Sequence, residues 1–131
     1  MPYLIDSDWL IDLLLGLPEA QALYERLAAD GISASIISYI ETYEGVDATA
    51  DPADAERRLE VLLTSIPLAA LSEEVARRCA RLRLSLRREG KRVNTRAMDL
   101  IIAATALEHG LTLVTRNRDD YKDIPGLRLY A

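Results

Sequence analysis

Five polar residues stand at positions where they could do chemistry in a folded α/β chain: Asp6, Glu41, Asp99, Asn117 and Asp120. Asp6 directly follows the short apolar run of residues 3–5, which predicts a buried strand that ends at a carboxylate. Asp99 lies among apolar neighbours, so its carboxylate should be partly desolvated, which is costly unless a cation or a hydrogen-bond donor meets it. Carboxylates in such positions are candidates for a metal site.

These acids should lie close together if the chain forms a parallel sheet. Ligands of open α/β sheets bind outside the carboxyl ends of the strands, where Asp6 and the pair Asn117 and Asp120 are expected. Glu41 and Asp99 lie near helix starts that point the same way. Converging carboxylates repel one another unless a hard divalent cation lies between them, so the pattern predicts a magnesium or manganese site.

Each acid also has an ordinary structural interpretation. Ser7 or Asp8 could be a helix N-cap, which would leave Asp6 as a solvated loop residue. Residues 38–41 match a capping box, in which Glu41 would serve the helix start. Asp99 could interact with the helix dipole, and adjacent aspartates in a loop, such as Asp120 and its neighbour, are usually solvated. Only the recurrence of the arrangement favours a site.

The elements that must position these residues alternate along the chain. Strands are predicted for residues 3–5, 32–35, 66–71, 111–115 and 127–130. Helical periodicity and end signals predict helices between them, including a long one from Ser72 to Gly90 and an almost entirely apolar one from about Thr95. The alternation predicts a three-layer α/β/α fold around a mostly parallel sheet of four to five strands, in a single domain of residues 1–131.

Composition narrows the class of protein. The chain has 131 residues, one cysteine and a formal net charge of −5, which is typical of a globular domain without disulfides. No apolar run reaches membrane-spanning length, and we expect a cytoplasmic protein. Nucleic acid would have to bind to a basic part of the surface, because the overall charge is negative. Nine basic residues lie between Arg77 and Arg96 against one acid, Glu89.

Four motifs resemble those of PIN-domain proteins of the VapC type, the ribonuclease toxins of toxin–antitoxin pairs. They are YLIDSDWLID, ISASIISYIETYEG, MDLIIAATALEHGLTLVTRN and NRDDYKDIPGLRL, in family order and over essentially the whole chain. By matching positions, the resemblance implies that the family's acidic residues correspond to Asp6, Glu41 and Asp99, with Asp120 as the fourth and Asn117 as its polar neighbour. Many PIN domains carry an aspartate at the position of Asn117, so one or two metals remain possible.

The resemblance implies an Mg²⁺-dependent endoribonuclease, with Mn²⁺ as a possible substitute, a separate antitoxin protein as inhibitor and usually a homodimer. Asp6 and Asp99 would be the main metal ligands, with Glu41 and Asp120 completing the shell and Asn117 or Thr115 orienting them. Arg116 and Arg118 flank the expected site and are candidate RNA-binding residues. Since no further domain is expected, inhibition would come from a partner.

Two other functions remain possible from the sequence. A receiver-like phosphoacceptor domain also uses an acidic pocket and magnesium, but it needs a lysine at the end of a late strand, where this chain has Arg116. A non-catalytic PIN domain that serves as a binding module is the second alternative. Labelling by a small phosphodonor and calorimetric titration with manganese would distinguish these possibilities from a nuclease.

Overall fold

The computed structural model describes residues 2–131 and contains a small parallel sheet. The three strands are β1 (Tyr3–Ile5), β2 (Ile32–Ser33) and β3 (Thr112–Val114), in the spatial order β2-β1-β3. Both neighbours pair with β1 in parallel, with Tyr3 opposite Ile32 on one side and Thr112 on the other. The carboxyl ends of all three strands therefore meet at one edge of the sheet.

Helices connect the strands. They are α1 (Ser7–Leu14), α2 (Pro18–Leu27), α3 (Ile36–Asp47), α4 (Pro52–Leu63), α5 (Glu73–Arg88) and α6 (Ala97–His109). Short 3₁₀ turns cover Ala28–Asp30, Asn94–Arg96 and Arg118–Asp120. Side chains of Ser35, Asp51 and Ser72 each accept a hydrogen bond from a backbone amide three residues later, which caps the first turns of α3, α4 and α5.

The prediction of four to five strands was wrong in its number, because the two outer segments do not form strands. Residues 66–71 contact the sheet by a single parallel bridge between Ala34 and Leu68, and residues 127–130 by one between Leu113 and Leu129. Pro67 lies in the first segment and has no amide hydrogen, so it cannot extend that ladder. The remainder of the predicted α/β fold with a parallel sheet is confirmed.

Two hydrophobic clusters cover the two faces of the sheet. Leu4 and Leu113 point into a cluster formed largely by α5 and α6. Ile5 and Val114 point into the other, which is formed largely by α1 and α2. This alternation follows from the period of two along a strand and gives helix layers on both faces, as predicted. Within residues 2–131, no helix is both long and apolar enough to cross a membrane.

Candidate active site

Asp6 lies at the carboxyl end of β1, where the strand becomes α1. Its amide donates to the Val114 carbonyl oxygen at 2.9 Å, which holds it at the sheet edge beside β3. Its Oδ1 accepts from the Ser7 amide at 2.8 Å and its Oδ2 from the Thr115 hydroxyl, also at 2.8 Å. Asp6 is therefore the N-cap of α1 and only 5% exposed, which excludes the interpretation as a solvated loop residue.

Burial has an electrostatic consequence for Asp6. Loss of hydration raises the pKa of its carboxyl to about 6, and the negative charges of Asp8 and Glu41 add to this effect. The hydrogen bonds from Thr115 and Ser7 favour the charged form and offset part of the increase. The site thus holds a carboxylate in an environment that opposes its charge.

Glu41 extends from α3 towards Asp6. Its Oε1 accepts from the Ser7 hydroxyl at 3.0 Å, so a single serine connects the two acids. Burial raises the pKa of Glu41, with further contributions from the charges of Asp99, Glu44 and Asp8. The capping-box interpretation is wrong, because the N-cap of α3 is Ser35 and Glu41 lies well inside the helix.

Asp99 approaches from the first turn of α6. Its Oδ1 accepts from the Tyr121 hydroxyl at 3.2 Å. Burial raises the pKa of Asp99, the charge of Asp120 raises it further, and the nearby Arg96 acts in the opposite direction. Asp99 lies in the first turn of α6, where it also meets the helix dipole, and the part-buried contact with Tyr121 is additional to that interaction.

Asp120 and Asn117 lie at the margin of the site. Asp120 is exposed at the end of the 3₁₀ turn Arg118–Asp120, close enough to Asp99 for its charge to act there. Asn117 begins this turn, and its backbone amide donates to the Thr115 hydroxyl at 3.1 Å. The structure thus brings Asp6, Glu41 and Asp99 together, with Asp120 beside them.

We call Asp6, Glu41 and Asp99 the carboxylate cluster. Each of its members accepts a hydrogen bond from a neutral hydroxyl, on Thr115, Ser7 and Tyr121 respectively. Among the described residues, none of the three forms a salt bridge with lysine, arginine or histidine. The cluster therefore contains mutually repelling charges that the chain orients but does not neutralise.

This donor set fits a hard divalent cation that retains several waters. Carboxylate oxygens are the ligands that Mg²⁺ and Mn²⁺ prefer, and Mg²⁺ is usually held by only one or two carboxylates directly. Across residues 2–131, no three acidic, histidine or cysteine side chains are grouped closely enough to enclose an ion. The types of the donor atoms, rather than their spacing, fit such a cation.

Three residues of this region were not predicted as site residues. Ser7 donates to Glu41, and Asp8 accepts from the Arg116 amide at 2.9 Å, which ties α1 to the end of β3. Tyr121 is 2% exposed and donates to Asp99. Ser7 and Asp8 adjoin Asp6 in the sequence, and Tyr121 follows Asp120, so proximity to a predicted acid was the available signal.

Both candidate RNA-binding arginines already have partners within the chain. The Arg116 guanidinium lies 3.8 Å from the centre of the Trp9 ring and 2.5 Å from a carboxylate oxygen of Asp12. Arg118 donates to the Tyr130 carbonyl oxygen. These contacts hold the arginines beside the end of β3, and their role towards RNA stays a prediction.

Comparison with known proteins decides the family. A model of the PIN domain family matches residues 3–127. The chain belongs to the PIN-domain family. Because the chain is a PIN domain, the alternative of a receiver-like phosphoacceptor domain is wrong.

This PIN domain is similar to a protein named as a ribonuclease and to chains in solved VapBC and toxin–antitoxin structures. It is 33% identical over 106 residues to Ribonuclease VapC5 of Mycobacterium tuberculosis, over 79% of this chain and 76% of that protein. A crystal structure of VapBC2 from Rickettsia felis, bound to a promoter DNA fragment, matches with a TM-score of 0.87 and 25% identity over 99% of this chain and 98% of that one. A toxin–antitoxin complex from Klebsiella pneumoniae matches with a TM-score of 0.71 and 31% identity, over 95% and 94% of the two chains.

Proposed function

We propose that this VapC-type PIN domain is a metal-dependent endoribonuclease and the toxin of a toxin–antitoxin pair. The observation that carries the proposal is the carboxylate cluster, whose three members are oriented by hydroxyl groups and left without a basic partner in the described chain. A related protein named a ribonuclease supports RNA as the substrate. We further propose that residues 1–131 act as one PIN domain.

Mg²⁺, with Mn²⁺ as a substitute, is the proposed cofactor. Asp6 and Asp99 would be its main ligands, and Glu41 and Asp120 would act partly through bound water. When bound, the ion polarises the scissile phosphate and lowers the pKa of a water for in-line attack. Thr115 and Asn117 would orient this shell, since the Thr115 hydroxyl contacts Asp6 and accepts from the Asn117 amide.

Removal of either main ligand tests the proposal. We expect Asp6→Ala and Asp99→Asn to reduce Mg²⁺-dependent RNA cleavage by more than about 100-fold, because loss of residues that only support metal ligands already costs 10–100-fold. Asp30→Ala changes an exposed acid after α2 and is the matched control. Cleavage of RNA by either site variant at the wild-type rate would contradict the assignment.

The proposed partner is a separate antitoxin protein, which would inhibit the nuclease, and the proposed assembly is a homodimer. The similar structures from Rickettsia felis and Klebsiella pneumoniae, which are VapBC or toxin–antitoxin complexes, support the antitoxin. Sequencing of RNA ends after controlled expression, with and without the neighbouring open reading frame, would identify the cleavage site and show whether that reading frame suppresses it.

One observation favours a second candidate, a non-catalytic PIN domain that binds without cleaving. In the part of the chain that the structure describes, the acids do not form a ready group of three metal ligands. Calorimetry separates the two functions, because a nuclease of this kind binds Mn²⁺ through the carboxylate cluster and a binding module does not.

A further inference from the structure

Tyr121 joins the hydrophobic core to the carboxylate cluster. Its ring is buried in the cluster that α5 and α6 form beneath the sheet, and the whole residue is 2% exposed. Its hydroxyl, at the other end of the ring, lies at the polar carboxylate cluster and donates to Oδ1 of Asp99 at 3.2 Å. The burial of the ring therefore fixes the position of a donor at the site.

The hydroxyl contacts Asp99 directly, and the charges of the other two acids of the carboxylate cluster also act on it. The charges of Asp6, Asp99 and Glu41 each raise the pKa of the Tyr121 phenol, in addition to the effect of burial. A phenol ionises near pH 10 even in water, so this group stays a neutral donor throughout the physiological range. It can orient a carboxylate without cancelling its charge.

Asp99 depends on this contact more than Asp6 depends on either of its own. Asp6 receives two hydrogen bonds, from the Ser7 amide and the Thr115 hydroxyl. Asp99 receives one from residues 2–131, and it comes from Tyr121. Because the phenol holds Oδ1, it restricts rotation of the Asp99 carboxylate and so orients both of its oxygens.

The segment that carries Tyr121 is itself anchored. The Arg96 guanidinium donates to the Asp120 carbonyl oxygen at 2.7 Å and to both carboxylate oxygens of Asp123, at 2.9 and 2.7 Å. Arg96 directly precedes α6, so the same helix start that supplies Asp99 also holds the loop on both sides of Tyr121. The contact between Tyr121 and Asp99 therefore joins the start of α6 to a loop that Arg96 already ties to the same helix start.

We propose that Tyr121 is a positioning residue for the metal ligand Asp99, and that its hydroxyl increases the affinity of the site for a divalent cation. This inference rests on the proposed metal-dependent function of the same site. Tyr121 does not touch the reacting phosphate in this proposal and acts only through Asp99.

Tyr121→Phe removes the hydroxyl and retains the ring. We expect this variant to bind Mn²⁺ about tenfold more weakly by calorimetry, as is usual for loss of a group that orients a metal ligand. The Mn²⁺ concentration that gives half-maximal RNA cleavage should rise by the same factor, while cleavage at saturating Mn²⁺ stays within about twofold of wild type. A defect of general folding would not produce this separation.

Tyr39→Phe is the matched control. The Tyr39 hydroxyl donates to the Ile66 carbonyl oxygen at 2.8 Å, so its loss also removes one tyrosine hydrogen bond, but without contact to the cluster. Thermal unfolding of both metal-free variants shows whether they are folded, and we expect similar melting temperatures. Mn²⁺ affinity within twofold of wild type in Tyr121→Phe, or equal weakening in Tyr39→Phe, overturns the proposal.

The same measurements separate this inference from the proposed function. If wild-type protein binds Mn²⁺ without cleaving RNA and Tyr121→Phe weakens binding, the role of Tyr121 stands and the nuclease function falls. If wild-type protein binds Mn²⁺ and cleaves RNA but Tyr121→Phe does both equally well, only the role of Tyr121 falls. Absence of Mn²⁺ binding by the wild type overturns both.

Discussion

At the scale of single residues, hydroxyl groups take the place that basic side chains usually occupy beside buried acids. Thr115, Ser7 and Tyr121 orient the carboxylate cluster but leave its negative charge in place. A lysine or arginine would stabilise the same acids and would also compete with a metal ion. The chain therefore keeps an unfavourable charge that a cation can relieve.

This unfavourable charge should appear in the stability of the metal-free protein. Because the pKa of Asp6 is about 6 in the fold and an exposed aspartate titrates near 3.9, the folded state holds the proton more tightly than the unfolded state. The free energy of unfolding should therefore fall as pH rises from about 4 to 7, by up to about 3 kcal/mol from Asp6. Charged Asp8 and Glu41 face Asp6 and act in the same direction.

Urea unfolding of wild type and Asp6→Asn at pH 4.5 and 7.5 checks this expectation. The asparagine variant should lose less stability between the two pH values, and Mg²⁺ should stabilise wild type at pH 7.5 more than the variant. Asp123→Asn is the control, because the hydrogen bond from Arg96 lowers the pKa of Asp123, so this group stays ionised in both states and should add almost nothing to the difference between pH 4.5 and 7.5. Equal pH slopes for wild type and Asp6→Asn would contradict the burial of this charge.

At the scale of elements, the loop after β3 is held to the start of α6 by Arg96. The Arg96 side chain is 18% exposed and forms a bidentate ion pair with Asp123. It also donates a hydrogen bond to the Asp120 carbonyl oxygen. Hydrogen bonds of a planar guanidinium to a carboxylate are among the stronger ones in proteins. The positions of Asp120 and Tyr121 therefore depend on this arginine.

Arg96→Ala should loosen that loop. We expect a loss of about 2 kcal/mol in the free energy of unfolding, as is typical when hydrogen bonds to charged groups are removed, and faster hydrogen exchange in residues 118–124. Arg57→Ala is the control, because the Arg57 side chain is 69% exposed and its ion pair with Asp54 should contribute less than about 1 kcal/mol. Unchanged exchange in residues 118–124 would show that Arg96 does not anchor the loop.

The sequence predicted the helices better than the outer strands of the sheet. Apolar periodicity and the caps Asp51 and Ser72 correctly indicated α4 and α5, since these signals are local. Residues 66–71 and 127–130 carry enough apolar residues for strands, but strand formation depends on pairing partners, and each segment makes only one bridge. Local pattern does not contain that information.

In the candidate site, too, local features could be predicted and contacts between distant residues could not. Asp6, Glu41 and Asp99 were predicted from their types and positions, and the structure brings them together. Tyr121 was missed because its contact with Asp99 spans 22 residues and depends on the intervening 3₁₀ turn. No periodicity or spacing rule predicts which side chain such a turn directs inward.

At the scale of the whole molecule, the proposed RNA substrate would have to bind through local positive charge, because the chain as a whole is acidic. Two arginines of α5 form ion pairs with acids, Arg77 with Glu73 and Arg78 with Glu108. Among the aromatic residues of the first half of the chain, Trp9, Tyr24 and Tyr39 pack against the core, while Tyr43 is 38% exposed. Arg116 and Arg118, beside the end of β3, remain the candidate RNA-binding residues.

The double variant Arg116→Ala/Arg118→Ala should weaken RNA binding and flatten its salt dependence. Each lost phosphate contact on a single strand lowers the slope of log affinity against log salt by about 0.7, so a decrease of about 1.4 is expected. Arg57→Ala/Arg58→Ala, on the exposed side of α4, is the control with the same charge change. An unchanged slope would remove both arginines from the RNA interface.

Asp6 is both the N-cap of α1 and a proposed metal ligand, so the first turn of α1 should respond when an ion binds at the site. One oxygen of Asp6 holds the Ser7 amide, while the Ser7 hydroxyl holds Glu41. Any ion that draws electron density from Asp6 must alter the shielding of that amide proton. A single resonance, from Ser7, therefore offers a spectroscopic readout of occupancy in solution that needs no substrate.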